Sequence, residues 1–465
     1  MFHMGRCLRV LAAAILAASV LSIGAFAAGK DQVSLTVYNS NLALVRIEKQ
    51  MDIPLGEGEV LFPFIPSRIL ANTVLFESVT APSKVWVKEQ NYEYDLVSES
   101  KLLLKFIDQK ITVVTKGGQV YTGFLMSGSN SPVILSEKEA GKGEIFSVQL
   151  SDIQSIRYPS LPDGLITRPA LRWLTVNNTL SKSQQVKVSF LTEGLSWSAD
   201  YVALLAKDEK SINLTGWVTL QNLSGVTYED AKLKLVAGDV NRVSAARDYE
   251  TMKLALAAPT VSEQAFQERG LFEYHLYDLQ FPTTVKDNQT KQIGFMSASA
   301  VPVEKTYLFN GRYDSENVGT YIEFKNDLKS GLGIPLPAGI VRVNKLDTDG
   351  SEQFIGEDSI GHTPKDEKLS LFLGNAFDIK GSWRQDSFRD VTKSLREETY
   401  VIEIRNHKDA AVKVKVQEIL SYWSAWSIIS STEQFSKLDS TTIQFEPLVA
   451  ANGTATITYT VRYTR

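Results

Sequence analysis

The feature that most constrains the fold is a row of three strand-like runs between Leu191 and Val243. Apolar and polar residues alternate along each run, which is the period of a β-strand with one buried face. The runs carry Trp197, Tyr201 and Trp217. Because aromatic side chains fill the interiors of β-sandwiches, we expect Trp197 and Trp217 to lie in the core of a sandwich at the centre of the chain.

The same alternation recurs from residue 31 to the C-terminus. We therefore predict a mostly β, multi-domain protein of immunoglobulin-like β-sandwiches with a small SH3/Sm-like barrel insert. The run L-T-V-N-N…Q-V-K-V-S-F…W-S-A (174–199) resembles I-E-I-R-N…K-V-K-V-Q-E…W-S-A (402–425). Two units built in the same way would explain this similarity, and chance likeness between amphipathic strands would explain it equally well.

Changes in the pattern divide the chain into seven segments. An Ala-rich stretch with few β-branched residues and with Pro259 interrupts the strands, and we interpret it as a linker. The predicted segments are a signal peptide (1–27), an N-terminal β region (28–107), a small β-barrel insert (108–158), a central β-sandwich (159–243), a linker or partly helical insertion (244–270), a β domain (271–393) and a C-terminal immunoglobulin-like unit (394–465).

The insert at 108–158 packs four or five short strand patterns into a short stretch of chain. Gly123 stands where a strongly bent strand needs a residue without Cβ. The pattern resembles SH3-like and Sm-like barrels, which often bind RNA or peptides. The segment lacks the aromatic and basic residues of an RNA-binding face, so a structural insert is the favoured interpretation.

The N-terminus has the order of a cleavable signal peptide: Arg6 and Arg9, an apolar run, and the small-x-small triplet Ala25-Phe26-Ala27. The apolar run is shorter than the about 20 residues of a membrane span, which favours cleavage after Ala27 over an uncleaved anchor. Cleavage removes Cys7, the only cysteine, and with it any disulfide or thiolate chemistry. We expect an exported protein, periplasmic or extracellular, without a membrane span.

The charge balance bears on the partner. After cleavage, 47 basic and 53 acidic residues remain, a net charge of −6. A nucleic-acid-binding protein usually carries a basic face, so we expect no nucleic-acid partner. The oligomeric state does not follow from the sequence.

The most polar patch with mixed chemistry lies at 356–368. A carboxylate beside a histidine can fix the tautomer of the ring, so the patch could be an acid–base cluster or a cation site. A strand end, a turn at Pro364 and a charged hairpin form the favoured alternative. The candidate side chains of this patch are Glu357, Asp358, His362, Asp366 and Glu367.

Other motifs point to no metal or cofactor. The histidines of the mature chain lack the spacing of a zinc site. Asp347-x-Asp349-Gly350 begins like a calcium loop but lacks the later acidic ligand, so we predict an Asp-Gly hairpin turn. A G-x-S-x-G elbow, a Walker loop and a dinucleotide fingerprint are absent from the sequence. Catalytic residues are therefore not assigned, although paired carboxylates for glycoside hydrolysis remain an open alternative.

Two tryptophans near the C-terminus are candidate binding aromatics. Trp423 and Trp426 lie three residues apart in Y-W-S-A-W, so on a strand they face opposite sides. One interpretation places them in the core. The other makes them an exposed aromatic platform for a sugar or a peptide.

Several strings of the sequence carry a resemblance to a known family. They include G-L-S-W-S-A-D-Y (194–201), E-Q-N-Y-E-Y-D-L (89–96), D-N-Q-T-K-Q (287–292), I-P-L-P-A-G (334–339), H-T-P-K-D-E-K (362–368) and R-N-H-K-D (405–409). The chain is similar in these strings to an uncharacterised exported bacterial family, a domain of unknown function distantly related to proteins labelled mucoidy inhibitor A. The resemblance implies an exported, mostly β protein and supplies no catalytic residue.

Three functions are consistent with these observations. We expect a non-enzymatic interaction protein of the cell envelope or extracellular space that binds a protein or polysaccharide partner through sheet edges and loops. The alternative is an envelope-directed hydrolase with carboxylate and His362 chemistry. A structural spacer in a larger assembly is the third option.

Overall fold

The computed structural model describes residues 31–464 except 64, 129–131, 239, 241–265 and 421–424. Strands make up 65% of the structure and helices 5%, which confirms the prediction of a mostly β protein with several sheets. The predicted signal peptide, Trp423 and most of the predicted linker lie outside the described residues.

The N-terminal part consists of alternating runs whose inner residues are apolar. Its strands and its helix are β1 (Gln32–Tyr38), β2 (Leu42–Asp52), β3 (Gly56–Pro63), β4 (Leu75–Ser78), β5 (Val85–Glu93) and α1 (Glu99–Lys105). The helix begins after Ser98, whose side chain accepts a hydrogen bond from the Lys101 amide. The next strands are β6 (Lys110–Thr115), β7 (Val120–Ser127), β8 (Val133–Lys138), β9 (Lys142–Val148) and β10 (Ile153–Arg157).

The central part contains the longest uninterrupted alternations. Its strands are β11 (Ala170–Asn177), β12 (Ser183–Thr192), β13 (Leu195–Leu205), β14 (Ser211–Asn222), β15 (Tyr228–Ala237), β16 (Phe266–Leu271), β17 (Tyr274–Leu279), β18 (Thr283–Val285) and β19 (Gln289–Pro302). The last residues of the predicted linker, 266–270, belong to β16, which pairs with β17.

The remaining strands lead to the C-terminus. They are β20 (Glu304–Phe309), β21 (Asn317–Lys325), β22 (Gly339–Leu346), β23 (Glu352–Ile360), β24 (Lys368–Thr392), β25 (Leu395–Asn406), β26 (Val412–Lys413), β27 (Lys415–Ile419), β28 (Ala425–Ser431), β29 (Phe435–Lys437), β30 (Thr442–Phe445), β31 (Leu448–Val449) and β32 (Thr454–Thr464). The Asp-Gly turn predicted at 347–350 joins β22 to β23, with the Gly350 amide bonded to the Asp347 carbonyl.

Three sheets enclose a first core with the character of a β-sandwich. Their orders are β16-β17-β15-β1-β2-β12-β4 with β18 beside β15, β19-β14-β13-β22-β23, and β3-β11-β5. Every second residue of β12, β13 and β14 is buried, as the sequence alternation predicts. Trp173 and Tyr201 are among the largest fully buried side chains of this core.

One sheet of nine strands encloses a second core. Its order is β28-β32-β25-β24-β21-β20-β27-β30-β29, and β26 pairs separately with β31. Strand β24 serves both cores, because Leu369 and Leu371 pack in the first and Ala376 and Ile379 in the second. The predicted boundary at 393/394 falls in the turn between the paired strands β24 and β25.

The segment predicted as a small barrel forms an antiparallel sheet with its own core. The order is β10-β6-β7-β8-β9, and Leu103 of α1 packs into this core. A Cβ on Gly123 would lie 2.5 Å from the Ser136 carbonyl oxygen, so β7 needs glycine there to approach β8 closely.

Buried asparagines close the turns at the ends of three strands. The side-chain amide of Asn222 donates to the carbonyl of Val226, four residues on, and Asn177 and Asn406 donate likewise to Ser181 and Ala410. Each side-chain oxygen accepts the backbone amide two residues on. These side chains satisfy backbone groups that the strands leave unpaired.

Candidate functional site

The outer face of the five-stranded sheet β19-β14-β13-β22-β23 lies in solvent. Leu214 and Val218 of β14 point into the first core, so Trp217 points outward with its strand neighbours Thr215 and Thr219. Trp217 is 40% exposed, whereas Trp197 is only 3% exposed.

The prediction that both tryptophans lie in the core is therefore confirmed for Trp197 and wrong for Trp217. The reason is the two-residue period of the strand: the apolar residues at alternate positions already fill the inner face of β14. A strict count of that period would have placed Trp217 among the polar residues.

Strand pairing sets Trp217 on β14, the second strand of this face. It lies opposite Gly294 of β19 on one side and Asp200 of β13 on the other. Asp200 in turn pairs with Ile340 of β22, which is 39% exposed. We call this surface the outer platform and define it by Asp200, Val202, Trp217, Thr219, Gln292, Ile340, Arg342 and Glu357.

A chain of polar contacts crosses all five strands of the outer platform. Gln292 Nε2 donates to Thr219 Oγ1 at 3.2 Å, and Thr219 Oγ1 donates to Asp200 Oδ2 at 2.6 Å. Arg342 then binds Asp200 Oδ1 and Glu357 Oε2, each at 3.2 Å. Adjacent strands lie about 4.8 Å apart, so the chain of contacts extends over roughly 19 Å.

These contacts fix side-chain positions more than they stabilise the fold. Arg342 and Glu357 are about half exposed, and pairs of this kind typically contribute only about 0–1 kcal/mol. These contacts hold hydrogen-bond donors and acceptors in defined positions beside Trp217. The outer platform can therefore offer one aromatic ring, apolar contacts and several hydrogen-bonding groups to a ligand lying across the strands.

Two buried tyrosines support the platform from below. Tyr201 donates its hydroxyl to the Pro337 carbonyl at 2.9 Å, and Tyr277 donates to the Pro335 carbonyl at 3.1 Å. Burial raises the pKa of both tyrosines above the ordinary value, so they remain protonated donors. They hold the chain segment that leads into β22.

The side chains of the polar patch at 356–368 are distributed over different places. Glu357 belongs to the outer platform. Its neighbour Asp358 accepts the Phe372 amide at 2.8 Å and so links β23 to β24. His362 accepts the Ala338 amide at Nδ1, at 3.1 Å.

Asp366 and Glu367 lie in the turn before β24. Asp366 has a φ of +67° and donates its amide to the Asn326 carbonyl, and the Glu367 carbonyl accepts the Asn326 amide. Among the residues that the structure describes, no group of three or more His, Cys, Asp or Glu side chains is arranged to hold a metal ion.

Trp426 lies on the edge strand β28 of the second sheet and is half-buried. Its Nε1 donates to the Ser440 carbonyl at 2.8 Å, and Lys437 Nζ lies 4.6 Å from the centre of its ring. Lys437 is the last residue of β29, at the other edge of the same sheet, and Ser440 follows that strand. Trp426 thus connects the two edges.

No protein-family model matches the chain, and no curated protein matches it. The similarity to the exported bacterial family stays a prediction. Within the described ranges, the helices are too short or too polar to span a bilayer.

Proposed function

We propose that this protein is an exported, non-enzymatic binding protein of the cell envelope or extracellular space, and that its outer platform binds a polysaccharide. The observation that carries the proposal is the exposure of Trp217 within a fixed network of polar side chains. A sugar ring has an apolar face and a rim of hydroxyl groups. An aromatic face with adjacent donors and acceptors is complementary to both.

The length of the outer platform favours a polysaccharide chain over a single sugar as the ligand. The polar contacts run across the strands from Gln292 to Glu357, and Trp217 lies along that line. A linear polysaccharide could contact several of these groups together, and each contact would exclude some water from its neighbours.

Export is part of the proposal. It is supported by the signal-peptide pattern at 1–27, by the loss of the only cysteine with that segment, and by the resemblance to an exported family. The finer fold is proposed as well: immunoglobulin-like sandwiches, and an SH3/Sm-like insert. The insert is supported by a meander from β6 to β9 in which β10 returns to pair with β6.

Affinity electrophoresis tests the binding proposal. The protein without residues 1–27 would migrate through gels that contain a neutral glucan, an amino-sugar polymer or a uronate polymer. We expect at least one polymer to retard the protein and Trp217→Ala to weaken that retardation about tenfold or more. Trp86→Ala is the matched control, because Trp86 is 42% exposed but lies on β5 of another sheet.

Three results would contradict the proposal. Retardation that W217A and W86A reduce equally would place binding elsewhere. If no polysaccharide retards the protein, but wild type and W217A both pull down the same envelope protein, a protein partner would be favoured. Release of reducing sugar during incubation would favour the hydrolase alternative, with Asp200→Asn and His362→Ala as the next variants.

A further inference from the structure

A buried acid surrounded by aromatic rings lies inside the curled nine-stranded sheet, on a different sheet from the outer platform. Trp383 comes from β24, Tyr400 from β25, Glu418 from β27 and Tyr459 from β32. We call these four side chains the acid–aromatic cage. Arg312, from the turn between β20 and β21, reaches into it.

The rings of the cage are stacked and face a cation. Tyr400 stacks on Trp383 with centroids 5.2 Å apart and on Tyr459 at 5.4 Å. The guanidinium carbon of Arg312 lies 5.4 Å from the centre of the Trp383 ring and 5.2 Å from that of Tyr400. Both distances lie within the range of a cation–π contact.

Glu418 forms the floor of the cage and has an unused acceptor. Its side chain is fully buried. Tyr459 and Trp383 donate hydrogen bonds to Oε2, at 2.5 and 3.1 Å, whereas Oε1 has no hydrogen-bond partner among the described residues. A buried carboxylate oxygen without a partner is costly, so a donor at Oε1 would be favourable.

Arg312 satisfies this acid incompletely. Its Nε lies 3.9 Å from Glu418 Oε2, whereas charge-assisted hydrogen bonds to carboxylates are about 2.7–2.9 Å long. About a third of the Arg312 side chain is exposed, so it lies at the solvent side of the cage. A guanidinium with more freedom to enter could stack on the same rings and also donate to Oε1.

We propose that the acid–aromatic cage is a binding site for a guanidinium group, and that Arg312 of the same chain occupies this site in place of the ligand. The planar guanidinium fits better than an ammonium because it can stack on Trp383 and Tyr400 while two of its N–H groups meet the two carboxylate oxygens. The ligand is then an arginine side chain of a partner or a small guanidino compound.

Removal of the internal competitor tests the site. Methylguanidinium would be titrated into wild type and Arg312→Ala in a calorimeter, and melting would be followed with and without it. We expect R312A to bind with a Kd at least about tenfold lower than wild type, because Arg312 no longer competes, and to melt at a higher temperature with the ligand. A Gly-Arg-Gly peptide in parallel distinguishes an arginine side chain from a small free cation.

The controls separate the cage from general ionic effects. Arg384→Ala removes an arginine that is 59% exposed and paired with Asp386, which is itself 46% exposed, so it should gain no binding. R312A combined with Glu418→Gln should lose the gain, and sodium chloride at equal ionic strength should not reproduce it. If R312A does not fold, Arg312→Gln keeps much of the stem and is used in the same titration.

Several outcomes would overturn the proposal. One is a folded R312A or R312Q that binds methylguanidinium no better than wild type. Another is binding that survives E418Q. A stabilisation that sodium ions match would show a purely ionic effect. None of these outcomes bears on polysaccharide binding at the outer platform, since the cage lies on another sheet.

Discussion

The first core lies between three sheets, and the second is enclosed by a single curled sheet. In the first, the buried polar side chains within the described ranges are uncharged, and Asn177 and Asn222 complete backbone hydrogen bonds at strand ends. In the second, Glu418 takes an inner position on β27 between Val416 and Leu420, where the alternation calls for an apolar residue.

The difference separates two uses of polar groups in a core. The desolvation cost of burying the asparagines is offset by hydrogen bonds to carbonyls that would otherwise be unsatisfied. Glu418 instead bonds other side chains and keeps one oxygen unpaired. An apolar residue of similar size would often stabilise such a site, so we infer that the second core retains an acid for binding rather than for stability.

The largest expected effect distinguishes the two faces of the sheet that borders the first core. Trp197→Ala should lower the free energy of unfolding by about 3–5 kcal/mol, because it removes a buried ring and the hydrogen bond from Nε1 to the Val236 carbonyl. Trp217→Ala should change it by about 0.5 kcal/mol or less, since the ring is exposed. Urea unfolding followed by circular dichroism measures both.

Equal losses in the two variants would contradict the assignment of Trp217 to the outer face. The near-UV spectrum of each folded variant is the control, because it shows whether the remaining aromatic side chains keep their packing.

The alternation along the chain predicted a mostly β protein, the Asp-Gly turn and the core position of Trp197, but it missed β16, which begins inside the predicted linker. It failed for Trp217 because residue type was given more weight than position. The outer platform depends on which strands are neighbours: Asp200 and Arg342 lie 142 residues apart in sequence and meet through the parallel pairing of β13 and β22. Single-sequence periodicity does not contain that pairing.

Several residues in the strings behind the family resemblance have structural roles. In I-P-L-P-A-G, the Pro335 and Pro337 carbonyls accept the buried tyrosine hydroxyls. In D-N-Q-T-K-Q, Asp287 accepts the Gly225 amide. In R-N-H-K-D, Asn406 closes a turn, and His407 is exposed beside it. Such residues hold the fold and leave the ligand unspecified.

The buried asparagines should contribute similar amounts to the free energy of unfolding in the two cores. Asn222→Ala removes a hydrogen-bond donor from the Val226 and Val285 carbonyls, and Asn406→Ala does the same to Ala410 and Val449. We expect each variant to lose about 1–3 kcal/mol in urea unfolding.

Asn91→Ala is the control for the asparagine variants, because Asn91 is exposed on β5. A loss in N406A several times larger than in N222A would mean that the two turns are not equivalent. Hydrogen exchange of the Lys408 and Ser224 amides, which bond the two asparagine oxygens, reports on each turn separately.

A smaller effect should appear in the pH dependence of the second core. Burial raises the pKa of Glu418 in the folded protein, although hydrogen bonds from Tyr459 and Trp383 and the charge of Arg312 oppose the shift. The stability that this group contributes is fully present below its unfolded pKa of about 4.3 and is lost as the pH rises through the folded pKa. Glu418→Gln cannot titrate, so its stability relative to wild type should increase over that window.

Unfolding of wild type and E418Q at several pH values measures the difference. The arginine and tyrosine groups that face Glu418 do not titrate near that window, so the difference belongs to the carboxyl group. Glu352→Gln, at an exposed position of β23, is the control. Parallel stability curves for wild type and E418Q would contradict a raised pKa.

The smallest effect concerns the contact that joins the edges of the second sheet. Trp426→Phe keeps an aromatic ring under Lys437 but removes the hydrogen bond to the Ser440 carbonyl, which should cost about 0.5–1.5 kcal/mol. Hydrogen exchange should become faster in β28 and unchanged in β13, with Trp86→Phe as the control at an exposed ring. A variant that keeps full stability yet loses retention of a polysaccharide would instead make Trp426 a binding aromatic. In that case the second sheet, with its acid–aromatic cage, would share the ligand surface that we assign to the first.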